Sequence, residues 1–144
     1  MEDTQQYNFT VKSNIHDYEV QFINDVKSTL ANELKEGDFI IIDNKVKTLY
    51  PKWFEEALAN FKYIGIDATE PQKSYQEVEP VINTLIENGF RKNHRLIAVG
   101  GGITQDVTAF IASILYRGVQ WYFFPTTLLA QGDSCIGSKT SINF

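Results

Sequence analysis

The chain has 144 residues, enough for one domain with its own core, and it is 43% hydrophobic and 22% charged, as ordinary globular proteins are. Its net charge of −5 and pI near 5.0 argue against a general nucleic-acid binder, which needs a basic face. The sequence has no membrane-length apolar run and no secretory or transit signal at its polar, acidic start, so we expect a cytoplasmic protein that does not bind membranes. The single cysteine, Cys135, excludes an internal disulfide, and the two histidines stand in no metal-binding motif.

The first part of the chain predicts two short strands, a helix, a buried strand and a second helix. Apolar and polar residues alternate at 7–11 and 18–22, which indicates a hairpin or edge pair. A weakly amphipathic helix is expected over 26–34. The continuous apolar run 39–42 is typical of a strand covered on both faces, and Asp43-Asn44-Lys45 closes it. A helix from about Pro51 follows, with the apolar stripe Trp53, Phe54, Leu58 and Phe61.

The second part of the chain repeats the alternation of strand and helix. Residues 63–66 predict a strand, and Ser74 with Glu77 forms a capping box that begins a helix. Pro80 inside that helix predicts a kink or a later start. A strand at 95–99 leads into a helix over 103–116, and a strand at 121–124 precedes a helical turn at 128–131 and a polar loop at 132–143. The apolar face expected for the helix over 103–116 comprises Ile103, Val107, Phe110, Ile111, Ile114 and Leu115.

This alternation predicts a single α/β domain over residues 1–144, a Rossmann-like open and mostly parallel sheet with helices on both faces. Ligands of such sheets bind at the carboxyl ends of the strands. The chemically interesting loops all follow strands: they contain Asp43, Glu70, residues 100–106 and Thr126-Thr127.

The turn Gly100-Gly101-Gly102 connects a strand to a helix, which is how a backbone comes close to a phosphate. Its spacing differs from the G-x-G-x-x-G of the commonest dinucleotide fold. Each feature also has a purely structural reading. The glycines could form only a tight turn, Asp43 could be a turn residue, Glu70 with Lys73 could be a solvated ion pair, and Thr126-Thr127 could cap a helix.

The order of these segments resembles that of the 3-dehydroquinate synthases, in the sugar phosphate cyclase superfamily. Five segments correspond to the family patterns G-E-x-x-K-S, G-G-G-v-x-x-D, R-G-v, P-T-T-L-L-A-Q and D-S-S-v-G-G-K-T-g-v-N. In this chain they are Glu70-Pro71-Gln72-Lys73-Ser74, the stretch from Gly100 to Asp106, Arg117-Gly118-Val119, the stretch from Pro125 to Gln131, and the stretch from Asp133 to Asn143. Upstream of Glu70 the resemblance rests on the strand end at Asp43. The expected fold is thus the N-terminal domain of a dehydroquinate-synthase-like protein.

The resemblance implies a domain that binds NAD. The adenosine end would meet Asp43, Asn44, Lys45, Glu70 and Lys73. The pyrophosphate would bind backbone amides of Gly101, Gly102 and Ile103. Asp106 would lie near the nicotinamide ribose, and the hydroxyls of Thr126 and Thr127 would hydrogen-bond the cofactor.

The resemblance also implies the chemistry. The family converts 3-deoxy-D-arabino-heptulosonate 7-phosphate into 3-dehydroquinate and phosphate in the shikimate pathway of aromatic amino acid biosynthesis, with NAD as a catalytic cofactor that is not consumed. A divalent metal, zinc or cobalt, polarises the hydroxyl that is oxidised. Asp133 and Lys139 correspond to residues that face the substrate. Arg117 corresponds to an arginine that reaches the substrate phosphate of the neighbouring subunit in the family's homodimer.

Two departures from the family pattern qualify this assignment. Family members are more than twice as long, with a glutamate and two histidines as metal ligands in a helical second domain, so we expect no metal ligands in this chain and no turnover by it alone. Residues near the substrate also differ: Thr69, Gln105, Cys135, Ser138 and Ser141 replace usual family residues. They leave open a cyclase for another sugar phosphate, such as sedoheptulose 7-phosphate, and a non-catalytic NAD-binding module is a further alternative.

Overall fold

A sheet of four parallel strands forms the centre of the computed structural model, which describes residues 9–11, 18–20, 26–69, 71 and 74–126. The strands run in the order β4-β3-β5-β6, and a separate antiparallel pair, β1-β2, precedes them in the chain. The strands are β1 Phe9–Val11, β2 Tyr18–Val20, β3 Phe39–Asp43, β4 Lys62–Ile66, β5 Arg95–Gly100 and β6 Gln120–Pro125. The helices are α1 Val26–Glu33, α2 Asn44–Leu49, α3 Pro51–Asn60, α4 Tyr75–Glu87 and α5 Gly102–Ile114, followed by a 3-10 turn at Leu115–Arg117.

Helices cover both faces of the sheet, as the alternation of elements predicts. Successive side chains of a strand point to opposite faces, and β3 is buried along its whole length. On one face Ile40 and Ile42 pack in a cluster with Leu30 of α1 and Phe54 of α3. On the other face the cluster around Ile41 includes side chains of α4 and α5. The predicted Rossmann-like α/β fold is confirmed.

Several expected boundaries also agree with the structure, and others differ from it. The β1-β2 pair confirms the predicted hairpin or edge pair. The short helix α2 was not predicted, because the capping carboxylate of Asp43 begins a helix where we expected only the end of a strand. Helix α4 begins at Tyr75 with Pro80 inside it, so it has no later start. The helix expected to end near residue 116 is α-helical to Ile114 and continues as the 3-10 turn Leu115–Arg117. The turn and loop expected at 128–143 lie outside the described residues.

The apolar face of α5 differs from the expected stripe. Phe110 and Ile114 are 43% and 45% exposed, whereas Thr104 and Thr108 are fully buried. Val107 and Ile111 lie on the buried face with the two threonines, at the helical spacing of three and four residues. Because α5 is apolar around most of its circumference, hydrophobic periodicity alone did not identify the side that packs on the sheet. Trp53, expected on the apolar stripe of the helix that begins at Pro51, likewise lies at the surface, at 38% exposure.

Candidate functional site

The carboxyl ends of the four strands form one row of backbone across the edge of the sheet. Ile66, Asp43, Gly100 and Pro125 end β4, β3, β5 and β6, and the pairing register aligns Asp43 with Ile66 and Gly100 with Pro125. With strands about 4.8 Å apart, the row extends over about 14 Å. The predicted site residues that follow strands β3, β5 and β6 are therefore neighbours in the fold.

Gly100 is the point at which three elements meet. A Cβ atom at this position would lie 2.6 Å from Oγ1 of Thr104 and 3.1 Å from Cβ of Asp43. The Gly100 carbonyl accepts a hydrogen bond of 2.9 Å from the backbone N–H of Thr126. A side chain at residue 100 would therefore separate β3, α5 and the end of β6, so this glycine is required by packing.

Gly102 has the opposite environment, because a Cβ atom there would meet no atom of another element within 4 Å among the described residues. It is the first residue of α5, and Gly101 precedes it as a cap without a side-chain hydrogen bond. The first amides of a helix have no acceptor within the helix, and the dipole makes this end positive. The open space above Gly102 thus borders the amino end of α5, an arrangement suited to binding phosphate oxygens.

Asp43 and Asn44 lie beside the glycine turn, each held by a defined contact. Asp43 is 9% exposed, and its Oδ1 accepts a 2.9 Å hydrogen bond from the backbone N–H of Lys45. This contact caps α2, so the structural role considered for Asp43 is present. The side-chain amide of Asn44 donates to Oδ1 of Asp67 at 3.0 Å, and a Cβ atom on Gly65 would lie 1.9 Å from Oδ1 of Asn44. Lys45 itself is exposed.

Two threonine hydroxyls near the turn have no hydrogen-bond partner among the described residues. Thr126 is 9% exposed and Thr104 is fully buried, and Oγ1 of each is shielded from solvent. Buried polar atoms are normally hydrogen-bonded, so the unpaired hydroxyl of Thr126, at the edge itself, fits a partner supplied by a ligand. Two further predicted site residues lie in the first turns of α5: Ile103 is half-buried and Asp106 is exposed.

Arg117 lies far from the glycine turn. The 13 residues of α5 separate the two, which corresponds to roughly 20 Å along the helix. The arginine therefore stands near the amino-terminal edge of the sheet, where β6 begins. One copy of the described fold does not bring it to the same site as Gly102.

Five predicted site residues lie outside the described residues: Glu70, Lys73, Thr127, Asp133 and Lys139. Their roles remain predictions. Within the described part of the chain, no group of three or more potential metal-ligating side chains lies together. In the same part, no helix is long and apolar enough to cross a membrane.

Three contributors to the site were missed by reasoning from sequence. Asp67 orients Asn44, Gly65 leaves room for the Asn44 side chain, and Thr104 presents a buried hydroxyl beneath the glycine turn. Asp67 carried a usable signal, because it directly follows a strand and so lies at the carboxyl edge. The other two depend on side-chain packing between elements.

The amino-terminal edge of the sheet carries a structural ion pair. Arg95 donates from Nε to Oδ1 of Asp38 at 2.8 Å and from an Nη atom to Oδ2 at 2.5 Å, and its guanidinium lies 4.7 Å from the centre of the Tyr122 ring. Hydrogen bonding to Asp38 is the main reason that the pKa of Arg95 is raised, against the opposing effect of burial. A cleft of about 540 Å³ opens nearby, and its His94 accepts a hydrogen bond at Nδ1 from the Arg91 backbone N–H. These contacts stabilise the fold.

Known proteins share this arrangement of elements. Residues 63–144 match the family model for the N-terminal region of 3-dehydroquinate synthase. A 3-dehydroquinate synthase of Buchnera aphidicola subsp. Cinara cedri is 41% identical over 115 residues, 76% of this chain and 31% of that protein. The enzyme of Streptococcus equi subsp. equi is 38% identical over 140 residues, 93% of this chain and 39% of that protein. The chain thus spans about a third to two fifths of the length of these curated relatives.

Solved structures agree with this assignment. A 2-epi-5-epi-valiolone synthase from Streptomyces hygroscopicus subsp. jinggangensis, with NAD+ and Zn2+ bound, is 29% identical with a TM-score of 0.60, covering 73% of this chain and 32% of that one. A 2-deoxy-scyllo-inosose synthase in complex with carbaglucose-6-phosphate, NAD+ and Co2+ shares the fold at 22% identity and a TM-score of 0.73, covering 88% of this chain and 37% of that one. By its matching family model, this chain belongs to the 3-dehydroquinate synthase N-terminal family, among the sugar phosphate cyclases.

Proposed function

We propose that this chain is the NAD-binding domain of a 3-dehydroquinate synthase that acts on 3-deoxy-D-arabino-heptulosonate 7-phosphate. The observation that carries the proposal is the open space above Gly102 at the amino end of α5. There the amides of Gly101, Gly102 and Ile103 would donate to the cofactor pyrophosphate. A methyl group or larger side chain at residue 102 would occupy the position of the phosphate oxygens.

The neighbouring side chains would bind the other parts of the cofactor. Asp43, Asn44 and Lys45 lie on the β3 side of Gly100 and would bind the adenosine end, with Glu70 and Lys73 from the following loop. A carboxylate can accept two hydrogen bonds from a ribose diol. On the other side of the turn, Asp106 would lie near the nicotinamide ribose, and Thr126 and Thr127 would hydrogen-bond the cofactor. The unpaired buried hydroxyl of Thr126 supports this assignment.

The substrate would be held by residues beyond the described sheet. Asp133 and Lys139 would contact the sugar phosphate and the nicotinamide, and Arg117 would bind the substrate phosphate in the partner subunit of a homodimer. The separation of Arg117 from the glycine turn supports action across a dimer. When bound, NAD would accept a hydride from the carbon that bears one substrate hydroxyl and later return it, and a zinc or cobalt ion would polarise that hydroxyl as it loses its proton.

The metal ligands would lie in a further domain of the whole protein, as the greater length of the relatives supports. We therefore propose that the 144-residue chain by itself has no cyclase turnover. Release of inorganic phosphate by this chain alone would contradict that proposal.

Two measurements test the function. Calorimetric titration of the whole natural protein with NAD should show saturable binding, and absence of binding by folded protein would reject the cofactor assignment. Phosphate release should then be compared with 3-deoxy-D-arabino-heptulosonate 7-phosphate and with sedoheptulose 7-phosphate. The curated relatives favour the first substrate, and faster turnover of the second would assign the chain to another branch of the cyclases.

A further inference from the structure

The turn after α5 has an unusual backbone conformation. Tyr116 and Arg117 have φ angles of 49° and 65°, so two consecutive residues with side chains occupy the left-handed region. L-residues other than glycine adopt this region rarely, because the Cβ atom approaches the backbone. Such a conformation persists where surrounding contacts determine it.

Those contacts come from the segment that follows α4. The Lys92 ammonium donates to the carbonyl of Tyr116 at 2.9 Å and to the carbonyl of Gly118 at 2.5 Å. The Tyr116 hydroxyl donates to the Phe90 carbonyl at 2.7 Å. Lys92 thereby joins the two peptide carbonyls on either side of Arg117, from a position 24 to 26 residues earlier in the chain.

The described residues hold the backbone around Arg117 in this way, but they do not hold its side chain. Its side chain is exposed and makes no hydrogen bond or ion pair with the residues that the structure describes. The direction in which the guanidinium leaves the surface therefore depends on the backbone of the turn. Hydrogen bonds from a charged donor are stronger than neutral ones, so Lys92 is the contact best able to hold that backbone.

We propose that Lys92 is a positioning residue for Arg117, fixing the turn so that the guanidinium is presented outward to an anionic group on a second molecule. The inference rests on the proposed function, in which that group is the substrate phosphate bound by the partner subunit. A preorganised turn avoids the entropy cost of ordering the arginine when the complex forms.

A double-mutant cycle in the whole natural protein tests the proposal. The variants are K92M, R117M and their combination, with K92R for rescue and K52M, on the exposed surface of α3, as the matched control. We expect K92M to lower kcat/KM roughly tenfold, through a higher KM for the sugar phosphate, since a charged hydrogen bond is lost. K92R should restore most of the loss because a guanidinium can also donate to both carbonyls, and K52M should match the native protein.

The combined variant separates positioning from a general structural role. If Lys92 acts through Arg117, K92M causes no further loss in an R117M background. Independent, additive losses would overturn the inference, as would native kinetics in K92M. If R117M leaves kcat/KM unchanged, Arg117 has no role in the substrate site, and the inference about Lys92 is wrong as well.

Hydrogen exchange tests the turn without reference to catalysis. The Gly118 N–H donates to the Leu115 carbonyl at 2.7 Å, and its exchange should be at least tenfold faster in K92M than in K52M. Unchanged exchange would reject Lys92 as the residue that holds the turn, whatever the activity. Failure of native protein to bind NAD or turn over either sugar phosphate would reject the proposed function instead, while faster exchange would still support Lys92 as the residue that holds the turn.

Discussion

Replacement of Gly102 by alanine separates cofactor binding from folding. The added methyl group meets no atom of another element within 4 Å in the part of the chain that the structure describes, so it causes no clash there. Residue 102 begins α5, and alanine favours a helix over glycine by up to about 1 kcal/mol in helix interiors. We therefore expect G102A to be as stable as the native chain or slightly more stable.

Binding of NAD should change in the opposite direction. The methyl group would stand in the space from which phosphate oxygens approach the amides of residues 101–103, where hydrogen bonds need about 2.9 Å between nitrogen and oxygen. A hydrogen bond to a charged group contributes about 1.5 to 3 kcal/mol, so loss of even one weakens binding by about tenfold or more. The NAD dissociation constant of G102A should thus rise at least about tenfold.

Calorimetric titration with NAD and thermal unfolding of the same samples measure both effects. S113A is the matched control, because it changes a small residue near the other end of α5, roughly 16 Å from Gly102. It should bind NAD as the native protein does. A folded G102A protein with native NAD affinity would refute the placement of the pyrophosphate above the turn.

Three further substitutions test individual contacts. D38N leaves the partly buried guanidinium of Arg95 without its charged partner, and we expect urea unfolding to show a loss of about 1 to 3 kcal/mol; a loss below about 0.5 kcal/mol would contradict the importance of this pair. G65A places a methyl group 1.9 Å from the present position of Asn44 Oδ1, so the side chain must rotate away. The fold should persist and NAD affinity should fall by the same factor as in N44A, whereas a native affinity would exclude Asn44 from the site. T108V removes a buried hydroxyl that has no partner among the described residues, and the free energy of unfolding should rise by about 1 kcal/mol; a fall would show that the hydroxyl is hydrogen-bonded.

Much of the fold follows from the local sequence. The apolar run at 39–42 and the run before Gly100 could be recognised as buried strands without any structure, because continuous β-branched and aliphatic residues exclude a strand with one solvated face. Ser74 and Glu77 predict the start of α4, and the hydroxyl of Ser74 accepts from the Glu77 N–H at 3.3 Å in the structure. Strand order along the chain, together with the rule that ligands bind at carboxyl ends, was sufficient to place Asp43, Gly100 and Thr126 at one edge.

Other features depended on contacts between distant parts of the chain. Asn44 and Asp67 are 23 residues apart, and Arg95 and Asp38 are 57 apart, so their pairing follows from how the strands align. The conformation of the turn at Arg117 depends on Lys92 in the same way.

The sequence by itself determined the alternation of strands and helices, the glycine turn at the start of α5 and the family to which the chain belongs. These follow from local periodicity, turn chemistry and motif spacing. Only the tertiary structure decided that Gly100 is needed for packing while Gly102 faces open space, and that Thr104 rather than Phe110 is buried. The reason is physical: a periodic sequence pattern predicts a helix, but which face of that helix is buried depends on the elements that pack against it.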